Sequence, residues 1–245
     1  MTRWHDEALS SAFPEASAIP PEVRPELQLD PRQHPPRWLC DGEIREHTGP
    51  AREVWSRVAT RTGQTLAPTL LGYEAQLGPA EAAMAVDAAM RAYGRGEGPW
   101  PARHVESRMA AVAAFADALE REAEAIARLL MWEIGKPWAA ARTEVSRSVE
   151  YIRSTLATLA RMRQADLAVQ QGVADGKQHF ARTHRRPLGV AVCVAPFNYP
   201  LNELLTTVIP ALLMGNVVIV KTPRFGALAV LRLLAAFRDA FPAGV

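Results

Sequence analysis

"PLGVAVCVAPFNYPLNELLTTVIPALLMGNVVIVKTP", Pro187 to Pro223, is the stretch that decides the fold. "GVAVCV" is a short continuous apolar run rich in valine, the pattern of a strand covered on both faces in a parallel sheet. "LNELLTTVIPALLMG" changes to helical spacing and stops at Gly215. "NVVIVKTP" is a second apolar strand, and "ALAVLRLLAAFRDAF" beyond it a second helix. The order β-α-β-α predicts parallel strands joined by a right-handed crossover, hence an α/β fold with a doubly wound, Rossmann-like sheet. The sequence given ends at "FPAGV", where a third strand is expected to start. Two parallel strands bury too little surface alone, so the sheet is expected to be incomplete.

Upstream the period is helical. "GPAEAAMAVDAAMRAYGRG" sets Ala82, Ala83, Val86, Ala89 and Met90 on one face, with Gly94 and Gly96 as the stop. "HVESRMAAVAAFADALEREAEAIARLLMWEIGKP" predicts one longer helix ended by Gly135 and Pro137. "RTEVSRSVEYIRSTLATLARM" restarts the pattern, so residues 80–162 form a helical layer. "WLCDGEIREHTG" predicts a short strand pair turning at Asp41-Gly42. Phe13 to Pro36 is too rich in proline for a helix and is expected to be an extended arm. "QQGVADGKQ" is expected to be a polar link. The expected organisation is therefore an arm over 1–37, strands and a helical layer over 38–178, and an incomplete nucleotide-binding β-α-β-α unit over 179–245.

A net charge of +2 with 49% hydrophobic residues over 245 positions excludes a nucleic-acid binder that works through charge. Two cysteines without paired spacing, Cys40 and Cys193, argue against a disulfide framework and a zinc site, and no metal-binding residues are expected. A reducing, cytoplasmic location is the expectation. "MTRWHDEALSSAFPEAS" has no apolar core of a signal peptide, and "TTVIPALLMGNVVIV" is interrupted by Pro210, Gly215 and Asn216, so no membrane span is expected. The only lysines are Lys136, Lys177 and Lys221, which singles each of them out.

In open α/β sheets, ligands gather at the carboxyl ends of the strands. Those ends are "APFNYP" and "KTPRFG". No G-x-G-x-x-G follows the first strand, so a nucleotide must be held in another way. At the second strand end, where an acidic residue would bond ribose hydroxyls, stand Lys221 and Arg224. They read either as cations favouring NADP over NAD or as solvated loop charges. Asn198 has two readings as well: a residue satisfying backbone groups ahead of a helix starting at Pro200, or a donor to an oxyanion. Tyr199 is a packed aromatic or a ligand contact.

These motifs together resemble the aldehyde dehydrogenase superfamily, whose cofactor domain carries P-x-G-V, P-[FW]-N-[FY]-P and P-A-L-x-x-G-N-x-V-[IVL]-K. "AYGRGEGPWPARHVESR" and "LLMWEIGKPWAAARTEVSRSVEYI" resemble its NADP-dependent, non-phosphorylating glyceraldehyde-3-phosphate dehydrogenases. The resemblance runs from "WLCDGE" to the last residue. It implies an oxidoreductase in which a cysteine thiolate attacks an aldehyde, hydride passes to NADP, with NAD the second candidate, and the thioester is hydrolysed. It makes Asn198 the oxyanion amide and places Ala195, Pro196, Phe197, Lys221 and Arg224 at the cofactor. Arg224 stands where many NAD users have glutamate. Arg147, eleven residues after Lys136, and Tyr199 would bind the substrate phosphate; Arg147 otherwise reads as a helix-surface residue paired with Glu144 or Glu150.

The family's nucleophilic cysteine, general-base glutamate and nicotinamide loop fall beyond the last residue given, so this chain alone is expected not to oxidise an aldehyde. Cys193 sits in an apolar strand and Cys40 in the N-terminal region; neither matches the nucleophile. "FARTHRR" resembles the family's oligomerisation strands and implies a homo-oligomer, or a complementary C-terminal chain as partner. Two alternatives remain: a non-catalytic module pairing with a full-length homologue, and part of an enzyme for another aldehyde such as a semialdehyde.

Overall fold

The structure, a computed structural model, describes residues 13–23, 35–63 and 65–245. Within it the arm runs as two 3₁₀ turns, Ala16–Ala18 and Pro21–Val23. It is anchored where the Arg61 amide donates to the Pro14 carbonyl at 2.9 Å and where the Trp132 indole N–H donates to the Val23 carbonyl at 2.7 Å. Residues 1–12 and 24–34 of the expected arm lie outside the described residues, and its last residue, Arg37, opens the first strand.

β1 (Arg37–Cys40) and β2 (Glu43–Glu46) form the expected hairpin, with Asp41 and Gly42 both at positive φ in the turn. A second, much longer hairpin follows, β3 (Ala51–Thr62) with β4 (Thr65–Ala75), antiparallel and bulged near Trp55. The bulge breaks the apolar alternation that would have announced the strands in the sequence.

Four helices make the expected layer. α1 (Pro79–Tyr93) opens with Pro79 in its first turn, where the missing N–H costs nothing, and with Glu81 accepting from the Gly78 amide at 2.8 Å. It ends at left-handed Gly94. The long pattern from His104 divides into α2 (Val105–Arg121) and α3 (Ala123–Ile134), interrupted at Glu122. Helical periodicity persists across that break because both pieces turn apolar faces to one core, so the sequence shows a single helix. α4 (Trp138–Leu167) begins after Pro137 and runs for 30 residues.

"QQGVADGKQ" is not a link. Gln170–Ala174 (β5) and Lys177–Ala181 (β6) form an antiparallel hairpin turning at Asp175-Gly176, and every residue of both strands is exposed. Without a buried face there is no alternation to read.

β7 (Val190–Val194) and β8 (Val217–Lys221) pair in parallel, Val190 opposite Val217 and Val194 opposite Lys221, as the crossover predicts. α5 (Asn202–Leu213) makes the crossover. Pro210 inside it cannot donate to the Thr206 carbonyl four residues back; the Tyr151 hydroxyl of α4 donates to that oxygen instead, at 3.3 Å. At its other end the Trp100 indole donates to the Leu212 carbonyl and Arg108 Nε to the Leu213 carbonyl, at 3.1 and 3.0 Å. The last predicted helix is two short ones, α6 (Ala227–Leu231) and α7 (Leu234–Ala240).

One cluster of buried side chains joins α2, α3, α4, α5 and the last two helices, from Trp100 and Phe115 through Ile152 and Leu205 to Leu233 and Phe241. α1 packs Ala89 and Ala92 on Val217 across the sheet. Helices thus lie on both faces of β8, the start of a doubly wound sheet. β7 corrects the expectation of cover on both faces: Cys193 is buried, but Val192 and Val194 are 66% and 60% exposed, because α1 reaches only its first residue, Val190, on that side.

Candidate functional site

The two strand ends meet. The Ala195 amide donates to the Lys221 carbonyl at 3.3 Å, carrying the pairing of β7 and β8 one residue into the loops. Further out, a Cβ placed on Gly226 would lie 2.5 Å from Pro200 Cγ, and Gly226 has φ +89°. The loops over 195–201 and 222–226 are therefore in van der Waals contact at a point that only glycine fits. Ala195, Pro196, Phe197, Asn198 and Tyr199 lie on the first loop; Lys221 is the last residue of β8 and Arg224 lies in the middle of the second loop.

The first loop is held from the helical layer. Buried Glu144 of α4 accepts from the amides of Leu201 and Asn202 at 3.1 and 3.2 Å, the free N–H groups at the start of α5. Its other carboxylate oxygen pairs with Lys136, whose ammonium also donates to the Asn198 carbonyl at 3.0 Å and sits 3.8 Å from the centre of the Tyr199 ring. One turn on, Ser148 accepts from the Asn202 side chain at 3.2 Å. The helix-start role that the sequence offered Asn198 is thus filled by Glu144, and the helix begins at Asn202 rather than Pro200. The Asn198 side chain is exposed and takes no hydrogen bond from a described residue.

The second loop is held by carboxylates too. Glu133, 1% exposed, accepts from the amides of Gly226, Ala227 and Leu228 at 2.8, 2.8 and 3.0 Å. Burial pushes its carboxyl up to about 7 although those three donors pull it down, and the charge of Glu74 adds to the rise. The β3–β4 hairpin lies against the same loop. Arg52 donates to the Arg224 carbonyl at 2.7 Å and pairs with Glu74, which accepts from the Thr222 hydroxyl at 2.8 Å. Lys221 and the Arg224 guanidinium are exposed and make no ion pair with a described residue.

Arg147 lies on the exposed side of α4 between Glu144 and Ser148. It pairs with neither Glu144, which is taken by Lys136, nor Glu150, and no hydrogen bond or ring contact joins it to Tyr199. Tyr199 is 40% exposed, with a face against Lys136, so it is only half packed. Both thiols are buried and burial pushes both up, away from the thiolate.

Sequence reasoning missed Glu133 and Gly226, offered Glu144 only as a partner for Arg147, and singled out Lys136 by its rarity without giving it a role. A signal existed: each glutamate interrupts an apolar helix face, "LLMWEI" and Ala141-Glu144-Val145, where an unpartnered charge would be costly.

A sequence profile of the aldehyde dehydrogenase family matches residues 59–245. The NADP-dependent glyceraldehyde-3-phosphate dehydrogenase of Streptococcus equinus is 37% identical over 131 residues, 53% of this chain and 28% of that one. The mitochondrial benzaldehyde dehydrogenase of Antirrhinum majus is 33% identical over 163 residues, 66% of this chain and 29% of that one. The solved NADP-dependent glyceraldehyde-3-phosphate dehydrogenase of Bacillus halodurans C-125, complexed with NADP, superposes with a TM-score of 0.67 at 28% identity, covering 86% of this chain and 42% of that one. The chain thus spans less than half the length of the relatives it matches. With the profile covering most of it, the chain belongs to the aldehyde dehydrogenase family.

Proposed function

We propose that this chain supplies the oxyanion amide and the adenosine site of an NADP-dependent aldehyde dehydrogenase acting on glyceraldehyde 3-phosphate or a similar aldehyde. The observation that carries the reading is the free Asn198 side chain on a loop clamped by Lys136 and Glu144, beside a strand end bearing two unpaired cations. A loop amide with no structural task of its own can donate to the oxygen of a reacting carbonyl, an interaction worth about 3 to 4 kcal/mol where charge develops. Ala195, Pro196 and Phe197 form the wall toward the nucleotide, and Lys221 and Arg224 fit an adenosine phosphate better than the carboxylate partners of NAD. NADP supplies hydride acceptance when bound, and NAD is the weaker ligand. Arg147 and Tyr199, an exposed guanidinium and a half-exposed phenol, are the substrate-phosphate contacts.

Turnover needs a thiolate, and both thiols of this chain are buried and raised. The nucleophile and the general base come from polypeptide outside this sequence, so the chain alone is inactive. A cytoplasmic location and assembly as a homo-oligomer, or with a complementary chain, belong to the same proposal. The exposed Val192 and Val194 of β7 favour a second reading, a module that pairs without catalysis with a full-length homologue.

Calorimetric titration of the purified chain with NADP and NAD, alongside an NADPH-formation assay with glyceraldehyde 3-phosphate and succinic semialdehyde, tests the first reading. Tighter binding of NADP without turnover is expected. A folded chain that binds neither nucleotide overturns it in favour of the pairing module; turnover of either aldehyde overturns the assignment of the nucleophile.

A further inference from the structure

The β3–β4 hairpin lies across the loop that follows β8, and besides Arg52, which pairs with Glu74, it brings a third cation without an ion pair among the described residues. Arg57 of β3 holds its guanidinium carbon 4.4 Å from the centre of the Phe225 ring. The guanidinium carbon of Arg224 is 5.6 Å from the same ring centre. The two guanidinium carbons therefore lie within about 10 Å of each other, both side chains exposed, beside one aromatic ring. Neither has a carboxylate partner among the described residues. The acids nearby are already used: Glu74 by Arg52 and Thr222, Glu133 by three loop amides. The backbone beneath them is fixed, since Arg52 donates to the carbonyl of Arg224 itself. Two like charges, one on β3 and one on the loop it packs against, stand together without an internal counter-ion, and a dianion is the chemistry that would bridge them.

We propose that Arg57 and Arg224 together form the subsite for the 2′-phosphate of NADP, so that the N-terminal hairpin as well as the second strand end sets the choice between NADP and NAD. This rests on the reading that the nucleotide binds at the ends of β7 and β8. The general rule for dinucleotide folds puts a cation for the 2′-phosphate after the second strand; the tertiary packing of β3 on that loop is what adds Arg57.

The test is calorimetry on the 245-residue chain with NADP, NAD and adenosine 2′-monophosphate, comparing Arg57→Gln, Arg57→Lys and a control, Arg142→Gln, on α4. A lost charge-assisted hydrogen bond predicts that Arg57→Gln weakens NADP and adenosine 2′-monophosphate by about tenfold or more while NAD is unchanged. Arg57→Lys should fall between, and the control should match the parent chain. Thermal unfolding midpoints that stay together exclude a folding defect. Equal loss for NADP and NAD, or no loss for either, overturns the subsite and leaves the proposed function standing. A folded parent chain that binds none of the three ligands overturns both.

Discussion

Replacing Glu144 by glutamine is the most informative change to the loop clamp. The glutamate side chain is fully buried and Lys136 is 11% exposed, so the pair is isolated from solvent. The substituted amide oxygen can still accept both N–H bonds from Leu201 and Asn202, which go to one carboxylate oxygen, but its NH2 then faces the Lys136 ammonium, which is left without a counter-charge. Removing one partner of such a pair costs about 3 to 5 kcal/mol, mainly the desolvation of the stranded charge. With a urea dependence of about 2 to 3 kcal/mol per molar for a chain of this size, the urea midpoint should fall by roughly 1 to 2.5 M. Adding Lys136→Met to Glu144→Gln should then cost little or recover part of the loss, because the stranded ammonium is gone. Because the clamp also fixes the Asn198 carbonyl, amide exchange at Leu201 and Asn202 should accelerate more than exchange in the α2 core. A midpoint change equivalent to less than about 1 kcal/mol, or strict additivity of the two substitutions, would show that water already reaches the pair and would refute the reasoning.

Further expectations concern neighbouring groups. Glu133 titrates near 7 in the folded chain against an ordinary 4.5, so between those values unfolding releases a proton that the native state retains. Its contribution to stability is present below about pH 4.5 and is lost as pH rises toward 7, by about 3 kcal/mol in all. Urea midpoints of the parent and Glu133→Gln should therefore converge or cross over that window, and parallel profiles would contradict the assignment. Gly226→Ala forces a side chain into left-handed backbone against Pro200, and a loss of about 2 kcal/mol or more is expected in thermal melts; an unchanged melt would mean the two loops separate freely. Disulfide-reagent labelling of native protein should be slow at both Cys40 and Cys193 and rapid in denaturant, whereas fast labelling of either in the native state would reopen the question of a nucleophile.

The sequence alone determined what depends on local order. The parallel β-α-β core, the helical layer and the first hairpin follow from apolar period and turn residues, which each segment carries in itself. Motif spacing likewise located the two strand ends at which the expected site residues other than Arg147 stand. Segments without a continuous buried face were illegible: β5 and β6 are exposed on both sides, and β3 and β4 are bulged. The break at Glu122 was hidden for the opposite reason, since both helices keep a face toward one core.

Only tertiary structure decided which charges serve which loop. Glu144 lies 57 residues before the amide of Leu201 that it holds, Glu133 lies 93 before Gly226, and Arg52 lies 172 before the Arg224 carbonyl. No periodicity encodes partners at such separations. A buried carboxylate in an apolar stripe announces that a partner must exist, because the unpaired charge would be too costly, yet the identity of that partner is fixed only when the helices and the hairpin pack against the strand ends.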